Sequence, residues 1–333
     1  MRRDPEVHLP VAAQPNIETT LDFIERAEDL GYGHVWAPET WGRDAVSTLA
    51  AATSRVEEIG LGTSILNVYA RSPALLGQTA VTLAELSPGP FRLGIGPSGP
   101  AVIESWHGLA YEHPLRRTRE TAEIIRAVTS GEVVDYDGDI FSLEGFRLRC
   151  EAPDEPIPVD VAGMGPKAVE LAGFVGDGWH ALMMTPDGLD TRLQDLRRGA
   201  KKGGRSADAI RVTLSMTCCA LDDAHRARRL VAEHIGFYLG SMGPFYARSL
   251  AGQGYEEVVE EIVTAWRSDH RAEAVERIET ELLDDLAAAG DPTQVRTNLE
   301  RFEAIEGIDR IAVSFPRGAE PAETIRTLES IVR

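Results

Sequence analysis

The stretch from residue 59 to residue 99 sets the pattern of apolar and polar positions that organises this chain. Residues 59–66 form a short apolar run of β-prone residues, which predicts a buried strand. Ser72 is a residue type that caps a helix, Pro73 fits its first position, and apolar residues at helical spacing continue to about Leu86. Turn residues at 87–90 then end the helix, and a second apolar run covers residues 91–95. The pattern predicts a strand, a helix and a second strand, the two strands being parallel and buried on both faces.

Short apolar runs alternate with amphipathic segments along the rest of the chain, and eight of the runs have the length of strands. Eight strands alternating with helices favour an α/β fold of the (β/α)8 TIM-barrel class over an open doubly wound sheet. The predicted strands lie near residues 8, 35, 62, 93, 160, 181, 215 and 311.

Two segments depart from this alternation. Residues 133–146 predict a hairpin, because two strand-like runs are joined through Asp137-Gly138-Asp139. Residues 222–290 carry several amphipathic segments and no clear strand, so we expect a helical insertion before the last strand. Residues 1–333 are interpreted as one barrel domain.

Charge and composition argue against several classes of partner and location. The formal net charge of −19 argues against nucleic acid and anionic membranes as partners. No apolar run approaches the roughly 18 residues of a transmembrane helix, and the charged start lacks the apolar region of a signal peptide, so we expect a cytoplasmic protein. Lysine occurs only at positions 167, 201 and 202. An acidic protein with so little lysine resembles salt-adapted, halophilic proteins, although a genome that favours arginine codons would give the same composition.

Candidate chemistry lies where predicted strands end, since ligands of α/β folds bind at the carboxyl ends of strands. The third strand ends at Asn67, and the fourth ends at Gly96, Pro97 and Ser98, which are small or turn-forming residues that let a ligand approach the backbone.

A second candidate is the glycine-rich turn of residues 163–167 at the start of a late helix. The N–H groups of a helix start bind phosphate, and Lys167 adds a positive charge. A tight turn without a ligand is the alternative. The turn comprises Gly163, Met164, Gly165, Pro166 and Lys167.

Glu39 and Thr40 end the second predicted strand. A carboxylate at this place is a candidate acid, base or ligand-orienting group, and a solvated loop residue is the alternative. Neighbouring candidates are Trp41, for stacking on a planar ring, His107 as a titrating group, and the arginines at 71 and 116 for anionic ligand groups. The sequence contains no metal triad, nucleophile elbow or Walker loop. A barrel with a phosphate site and no strong acid–base constellation indicates that a cofactor supplies the chemistry.

Taken together, these motifs resemble the bacterial-luciferase-like superfamily of flavin- and deazaflavin-dependent barrels, in the branch that uses coenzyme F420. Within that branch the resemblance is closest to the methylenetetrahydromethanopterin reductases, and it spans most of the chain. The motifs that carry it are Asn67-Val68-Tyr69-Ala70-Arg71-Ser72-Pro73, Leu83-Ala84-Glu85-Leu86-Ser87, Leu93-Gly94-Ile95-Gly96-Pro97, Gly163-Met164-Gly165-Pro166, Thr217-Cys218-Cys219 and Gly290-Asp291-Pro292.

The resemblance implies a deazaflavin that lies across the strand ends. It also implies a non-prolyl cis peptide between Ser64 and Ile65 that bulges against the back of the ring. Two positions depart from the family pattern. Glu39-Thr40 replaces an Asp-His pair, and Gly99 replaces an acidic residue that would donate a proton. Either Glu39 takes over that role, or the reaction needs no side-chain acid.

The resulting expectation is an oxidoreductase that uses coenzyme F420 to reduce the methylene group of a one-carbon carrier, a tetrahydropterin or tetrahydrofolate, to a methyl group. One alternative is a luciferase-like monooxygenase that uses FMN and oxygen, and another is a non-catalytic flavin-binding barrel. The expected partners are a small-molecule substrate and further copies of the chain, in a homodimer or homotetramer.

Overall fold

The computed structural model describes residues 4–11 and 14–332. Its strands are β1 (Glu6–His8), β2 (His34–Pro38), β3 (Gly60–Asn67), β4 (Phe91–Gly96), β5 (Val134–Asp137), β6 (Ser142–Phe146), β7 (Val159–Ala162), β8 (Gly178–Leu182), β9 (Arg211–Ala220), β10 (Ala287–Gly290) and β11 (Arg310–Ser314).

Helices follow most of the strands. They are α1 (Ile17–Asp29), α2 (Ala45–Ala52), α3 (Pro73–Leu86), α4 (Pro100–Ser105), α5 (Pro114–Thr129), α6 (Pro166–Val175), α7 (Pro186–Lys202), α8 (Ala224–Ser241), α9 (Pro244–Leu250), α10 (Glu256–Arg267), α11 (Arg271–Glu281), α12 (Leu283–Leu286), α13 (Pro292–Glu303) and α14 (Pro321–Val332). In the described ranges, no helix is both long and apolar enough to span a membrane.

The predicted fold class is confirmed. Each of the eight predicted strand positions carries a strand, namely β1, β2, β3, β4, β7, β8, β9 and β11, and these strands alternate with helices in the order of a (β/α)8 TIM barrel. The predicted hairpin is confirmed too, because β5 and β6 pair antiparallel with Val134 opposite Phe146.

The expectation that residues 222–290 contain no strand is wrong. The last four of them form β10, which pairs in parallel with β9 from Ala287 opposite Thr217 to Gly290 opposite Ala220. Three alanines and a glycine have low strand propensity, so local pattern gave no signal. The strand forms because β9 is ten residues long and offers its last four residues as a partner.

The chain divides into two compact units. One, called the β3 unit, comprises residues 34–180 and 194–211, and the other, called the β9 unit, comprises residues 1–33, 181–193 and 212–333. In the β3 unit the strands lie in the order β2, β3, β4, β7 and β8, and they are parallel. Their carboxyl ends therefore share one edge of the sheet, which is called the carboxyl edge below.

The residues of helix α3 fix the position of the loop that joins β3 to this helix at the carboxyl edge. The Ser72 hydroxyl accepts a hydrogen bond from the Leu75 N–H at 3.2 Å, and Pro73 occupies the first turn, as predicted. A side chain at Gly77 would bring its Cβ within 2.4 Å of Val128 Cγ1 on α5, so glycine allows the two helices to pack closely. The start of α3, just after the β3 loop, is thereby fixed.

In the β9 unit the strands lie in the order β1, β11, β9 and β10, again parallel. The predicted helical insertion is present as α8 to α12, whose apolar residues share one buried cluster. Within it, Gln253 holds the loop after β8: its side chain accepts from the Thr185 N–H at 2.8 Å and donates to the Met183 carbonyl at 3.1 Å.

Candidate active site

The predicted site residues all lie at the carboxyl edge of the β3 unit. Glu39 and Thr40 follow β2, Ser64, Ile65 and Asn67 belong to the end of β3, Gly96 ends β4 and is followed by Pro97 and Ser98, and Gly163 to Lys167 follow β7. Because these four strands are neighbours, one edge holds residues that are far apart in sequence. Their roles in binding and catalysis remain predictions.

A β-bulge interrupts β3 at the place where the cis peptide was predicted. The pairing with β4 shifts between Thr63, opposite Leu93, and Leu66, opposite Ile95. The predicted cis bond between Ser64 and Ile65 is wrong, since the described residues contain no cis peptide. The bulge accommodates the extra residue with trans peptides.

Hydrogen bonds from a side chain replace the missing ladder bonds at this bulge. The Thr63 hydroxyl donates to the Gly94 carbonyl at 2.9 Å and accepts from the Gly94 N–H at 2.9 Å. Gly94 is required here, because a Cβ at this position would lie 2.0 Å from the Thr63 carbonyl oxygen. The backbone at the end of β3 is therefore held in a fixed shape.

Glu39 is held in an ion pair. Both oxygens of its carboxylate lie 2.6 Å from Arg71 Nη1, and Arg71 Nη2 lies 2.6 Å from Asp44 Oδ2. Partial burial alone would raise the pKa of Asp44, but hydrogen bonds from Ser47 and the Arg71 charge hold it below its ordinary value. Arg71 thus ties the loop after β3 to the loop after β2, and its single positive charge is shared between the carboxylates of Glu39 and Asp44.

Asn67 shapes the loop that leaves β3. Its Oδ1 accepts from the N–H groups of Tyr69, at 3.2 Å, and Ala70, at 2.7 Å. Its amide nitrogen lies 3.4 Å from His107 Nε2, on the loop after β4. Beside them, the rings of Trp41 and Trp106 meet edge to face with centroids 5.9 Å apart.

A stack of rings holds the loop after β4. Tyr111 stacks on Tyr69 with centroids 5.4 Å apart, and its hydroxyl donates to the carbonyl of Ser98 at 3.1 Å. Ser98 has a φ of +56°, which is uncommon for a residue with a side chain, and this hydrogen bond helps to hold it there. Burial, together with the nearby Tyr69, raises the pKa of Tyr111 to about 12, so its hydroxyl stays protonated and acts as a donor.

Sequence reasoning missed Arg117, which extends the stack. Its guanidinium carbon lies 4.7 Å from the centre of the Tyr69 ring and 5.1 Å from that of Phe141, at the hairpin between β5 and β6. Sequence reasoning named the adjacent Arg116 instead, which is about half exposed and pairs with Asp139 at 3.1 Å. The sequence gives one indication of this difference: Arg116 and Arg117 are successive residues of a helix, so their side chains point in different directions.

The start of α6 is open to an anion. Gly165 is the capping residue and supplies no side-chain hydrogen bond, and Pro166 occupies the first turn. The Lys167 side chain is 77% exposed, with its ammonium nitrogen 3.7 Å from Glu170 Oε2, so it can reach a ligand. Gly163 lets the turn close tightly, because a Cβ there would lie 2.7 Å from Ala168 Cβ. In this first turn the Lys167 N–H remains for a ligand, because Pro166 has no N–H and the Ala168 N–H donates to the Gly165 carbonyl at 3.0 Å. That N–H and the positive end of the helix dipole are features of phosphate sites.

Replacing Gly165 with valine tests this anion site. Gly165 has a φ of −80°, and a Cβ there meets no atom within 4 Å, so the free energy of unfolding should stay within about 0.5 kcal/mol of the wild-type value. Affinity for a phosphate-bearing cofactor should fall, since the side chain obstructs approach to the helix start. Calorimetric titration with the cofactor measures this, and unchanged affinity would place the phosphate elsewhere.

Comparison with known proteins agrees with this geometry. Residues 3–307 match the family model described as "Luciferase-like monooxygenase". The chain is 32% identical to a "Putative coenzyme F420-dependent oxidoreductase" of Mycobacterium tuberculosis, covering 96% of each chain. It is 27% identical to the 5,10-methylenetetrahydromethanopterin reductase of Archaeoglobus fulgidus, covering 92% of each.

A solved structure shows the same fold. The coenzyme F420-dependent tetrahydromethanopterin reductase of Methanopyrus kandleri superimposes with a TM-score of 0.84 at 22% identity, covering 100% of this chain and 98% of the other. The barrel, the bulged third strand and the open helix start are therefore found in a chain that belongs to the luciferase-like family, in its coenzyme F420-dependent oxidoreductase branch.

Proposed function

We propose that this protein binds coenzyme F420 and uses it to reduce a methylene-tetrahydropterin or methylene-tetrahydrofolate to the methyl form. The proposal goes beyond the family in naming the cofactor for this chain and the substrate class. The likeness to a methylenetetrahydromethanopterin reductase along 92% of the chain supports it.

The residues at the carboxyl edge fit a planar cofactor with a phosphate group. The Thr40 hydroxyl oxygen is buried and has no hydrogen-bond partner in the protein, so it can serve a ligand. Gly96 leaves room beside Ile65, since a Cβ there would lie 2.9 Å from Ile65 Cδ1. The start of α6 and Lys167 would hold the phosphate, and the β3 bulge would support one face of the ring.

The observation that carries the substrate assignment is the ion pair of Glu39. Its two oxygens are both engaged by Arg71, and Gly99 has no side chain, so the two positions where an acid or base was expected offer no unengaged carboxyl group. Oxidation of an alcohol requires a base to take the hydroxyl proton. A methylene carbon bound to two nitrogens is different, because opening one C–N bond leaves an electrophilic iminium carbon.

The chemistry then balances without a side-chain carboxylic acid. When bound, reduced coenzyme F420 would supply a hydride to the methylene carbon, which becomes a methyl group, and the proton lost on its oxidation, relayed by water, would end on the released nitrogen. The protein's part would be to fix the two reactants face to face, with the β3 bulge and the loops after β2 and β3, which Arg71 joins, as the support.

The test mixes purified protein and reduced F420, without oxygen, with methylene-tetrahydrofolate or its methanopterin analogue. We expect reoxidation of the deazaflavin, followed by its absorbance, with a methyl product identified by mass. Glucose 6-phosphate with oxidised F420 is the control. It should not react, because Glu39 is engaged by Arg71 and Gly99 has no side chain, so neither position offers a carboxylate to take the hydroxyl proton.

Two results would replace the proposal. If neither carrier reoxidises F420 while reduced FMN, oxygen and an aldehyde turn over, the protein is a monooxygenase. If F420 binds and no carrier reacts, the barrel is a binding protein or acts on another substrate class.

A further inference from the structure

We propose that the Thr40 hydroxyl is a positioning group that donates a hydrogen bond to an acceptor atom of the bound cofactor's ring. The inference rests on the cofactor named under the proposed function and adds to it a residue and an interaction.

Among the described residues, three buried hydroxyl groups have no hydrogen-bond partner, those of Thr40, Thr121 and Ser249, and Thr40 is the one that follows a strand. Its oxygen is shielded from solvent and makes no hydrogen bond to the protein. By contrast, the Thr63 hydroxyl bonds to Gly94 at 2.9 Å, and the Thr53 hydroxyl donates to the Ala50 carbonyl at 2.8 Å. A buried polar group without a partner costs about 1–3 kcal/mol of stability. A bound ligand that accepts a hydrogen bond from the Thr40 hydroxyl would offset this cost.

The position of Thr40 connects it with the surface expected to carry the ring. The N–H of the preceding residue, Glu39, donates to the Ile65 carbonyl at 3.1 Å, which joins the end of β2 to the β3 bulge. The Arg71 ion pair holds Glu39 from the other side. Thr40 is thus fixed next to the bulge, and a ring lying on the bulge would place its polar edge within reach of this loop.

The chemistry of a threonine hydroxyl selects the kind of contact. It is neutral and does not ionise near neutral pH, so it cannot replace a catalytic acid or base. It can donate one hydrogen bond to a carbonyl oxygen or ring nitrogen, which are the atoms along the polar edge of a deazaflavin or flavin ring. We therefore infer a role in aligning the ring rather than in moving a proton.

Replacing Thr40 with valine, which has the same shape without the hydroxyl, should have opposite effects on the ligand-free protein and on its complex with the cofactor. Without ligand the variant should be more stable, with Tm raised by about 2 °C, because an unpaired buried hydroxyl is removed. Affinity for oxidised F420, titrated by its fluorescence, should fall about tenfold because the ligand loses its donor. Thr40→Ser restores the hydroxyl and should return the affinity towards the wild-type value.

Thr53→Val is the matched control, because it removes a hydroxyl that has a protein partner away from the strand ends. It should lower Tm and leave the F420 affinity unchanged. The inference is overturned if Thr40→Val binds F420 as tightly as the wild type, or if it loses stability as Thr53→Val does.

A parallel titration with FMN separates this inference from the proposed function. If the wild type binds FMN and not F420, and Thr40→Val weakens FMN binding, the hydroxyl aligns a flavin ring and the F420 function is wrong. If the wild type binds neither cofactor, both the proposed function and the role of Thr40 are overturned.

Discussion

Replacing Gly94 with alanine should destabilise the protein strongly and abolish cofactor binding. A Cβ at this position would lie 2.0 Å from the Thr63 carbonyl oxygen and 2.7 Å from that of Ser64. Both atoms belong to the backbone of β3, so no side-chain rotation relieves the contact. Either the bulge opens or β3 and β4 separate, and we expect a loss of about 3 kcal/mol in the free energy of unfolding, measured with urea.

Gly99→Ala is the control for this prediction. Gly99 caps α4 in the loop after β4, has a φ of −119° and has no atom within 4 Å of an added Cβ. Its replacement should change the free energy of unfolding by less than about 0.5 kcal/mol. If Gly94→Ala were as stable as Gly99→Ala and still bound F420, the bulge would not depend on glycine at position 94.

Much of the fold could be predicted because its signals are local. Ser72 and Pro73 predict the start of α3 without information from distant parts of the chain, and the apolar run before Asn67 has the length of a buried strand. Parallel strands then bring their carboxyl ends to one edge, which is why the candidate residues from 39 to 167 lie together. The strand β10 was missed since its alanines form a strand only through pairing with β9.

The hydrogen bonds and ion pairs of individual side chains could not be predicted from local sequence. Glu39 and Arg71 are separated by 32 positions, and nothing near Glu39 in sequence shows that an arginine engages its carboxylate. The resemblance predicted a cis peptide at Ser64, but the Thr63 hydroxyl and Gly94 accommodate the bulge with trans bonds. Likewise, the lack of a hydrogen-bond partner for the Thr40 hydroxyl can be recognised only from the three-dimensional positions of the surrounding atoms.

A buried ion pair below the carboxyl edge should give the second large effect. Asp160 on β7 is 1% exposed and accepts two hydrogen bonds from Arg92 on β4, with Nε 2.9 Å from Oδ2 and Nη2 2.5 Å from Oδ1. Gly178 provides the space, because a Cβ there would lie 2.4 Å from Asp160 Oδ1. Burial alone would raise the pKa of Asp160, but His180 and the Arg92 charge lower it to about 2.

Arg92→Met should lower the free energy of unfolding by about 3–5 kcal/mol at neutral pH. Methionine fills much of the arginine volume, so the main cost is a buried carboxylate without its cation. The double variant Arg92→Met/Asp160→Asn removes the charge as well and should recover most of the loss. Urea unfolding of the wild type and both variants measures this. Equal stability of the single and double variants would show that the pair contributes nothing.

The dependence on pH should change sign in the variant. In the wild type the folded pKa of Asp160, about 2, lies below its unfolded value of about 3.9, so its contribution is present above about pH 4 and is lost as pH falls towards 2. Without Arg92, His180 Nε2, 3.5 Å from Asp160 Oδ2, is the remaining group that lowers the pKa of Asp160 against burial. We expect burial to outweigh it and to raise the folded pKa above the unfolded value, so the folded state binds more protons and stability falls as pH rises above about 4. Subtracting the unfolding free energy of the double variant at each pH cancels the other titrating groups. The single variant should therefore approach the double variant near pH 4 and fall below it towards pH 7, whereas a difference independent of pH would show that the stranded carboxylate keeps an unperturbed pKa.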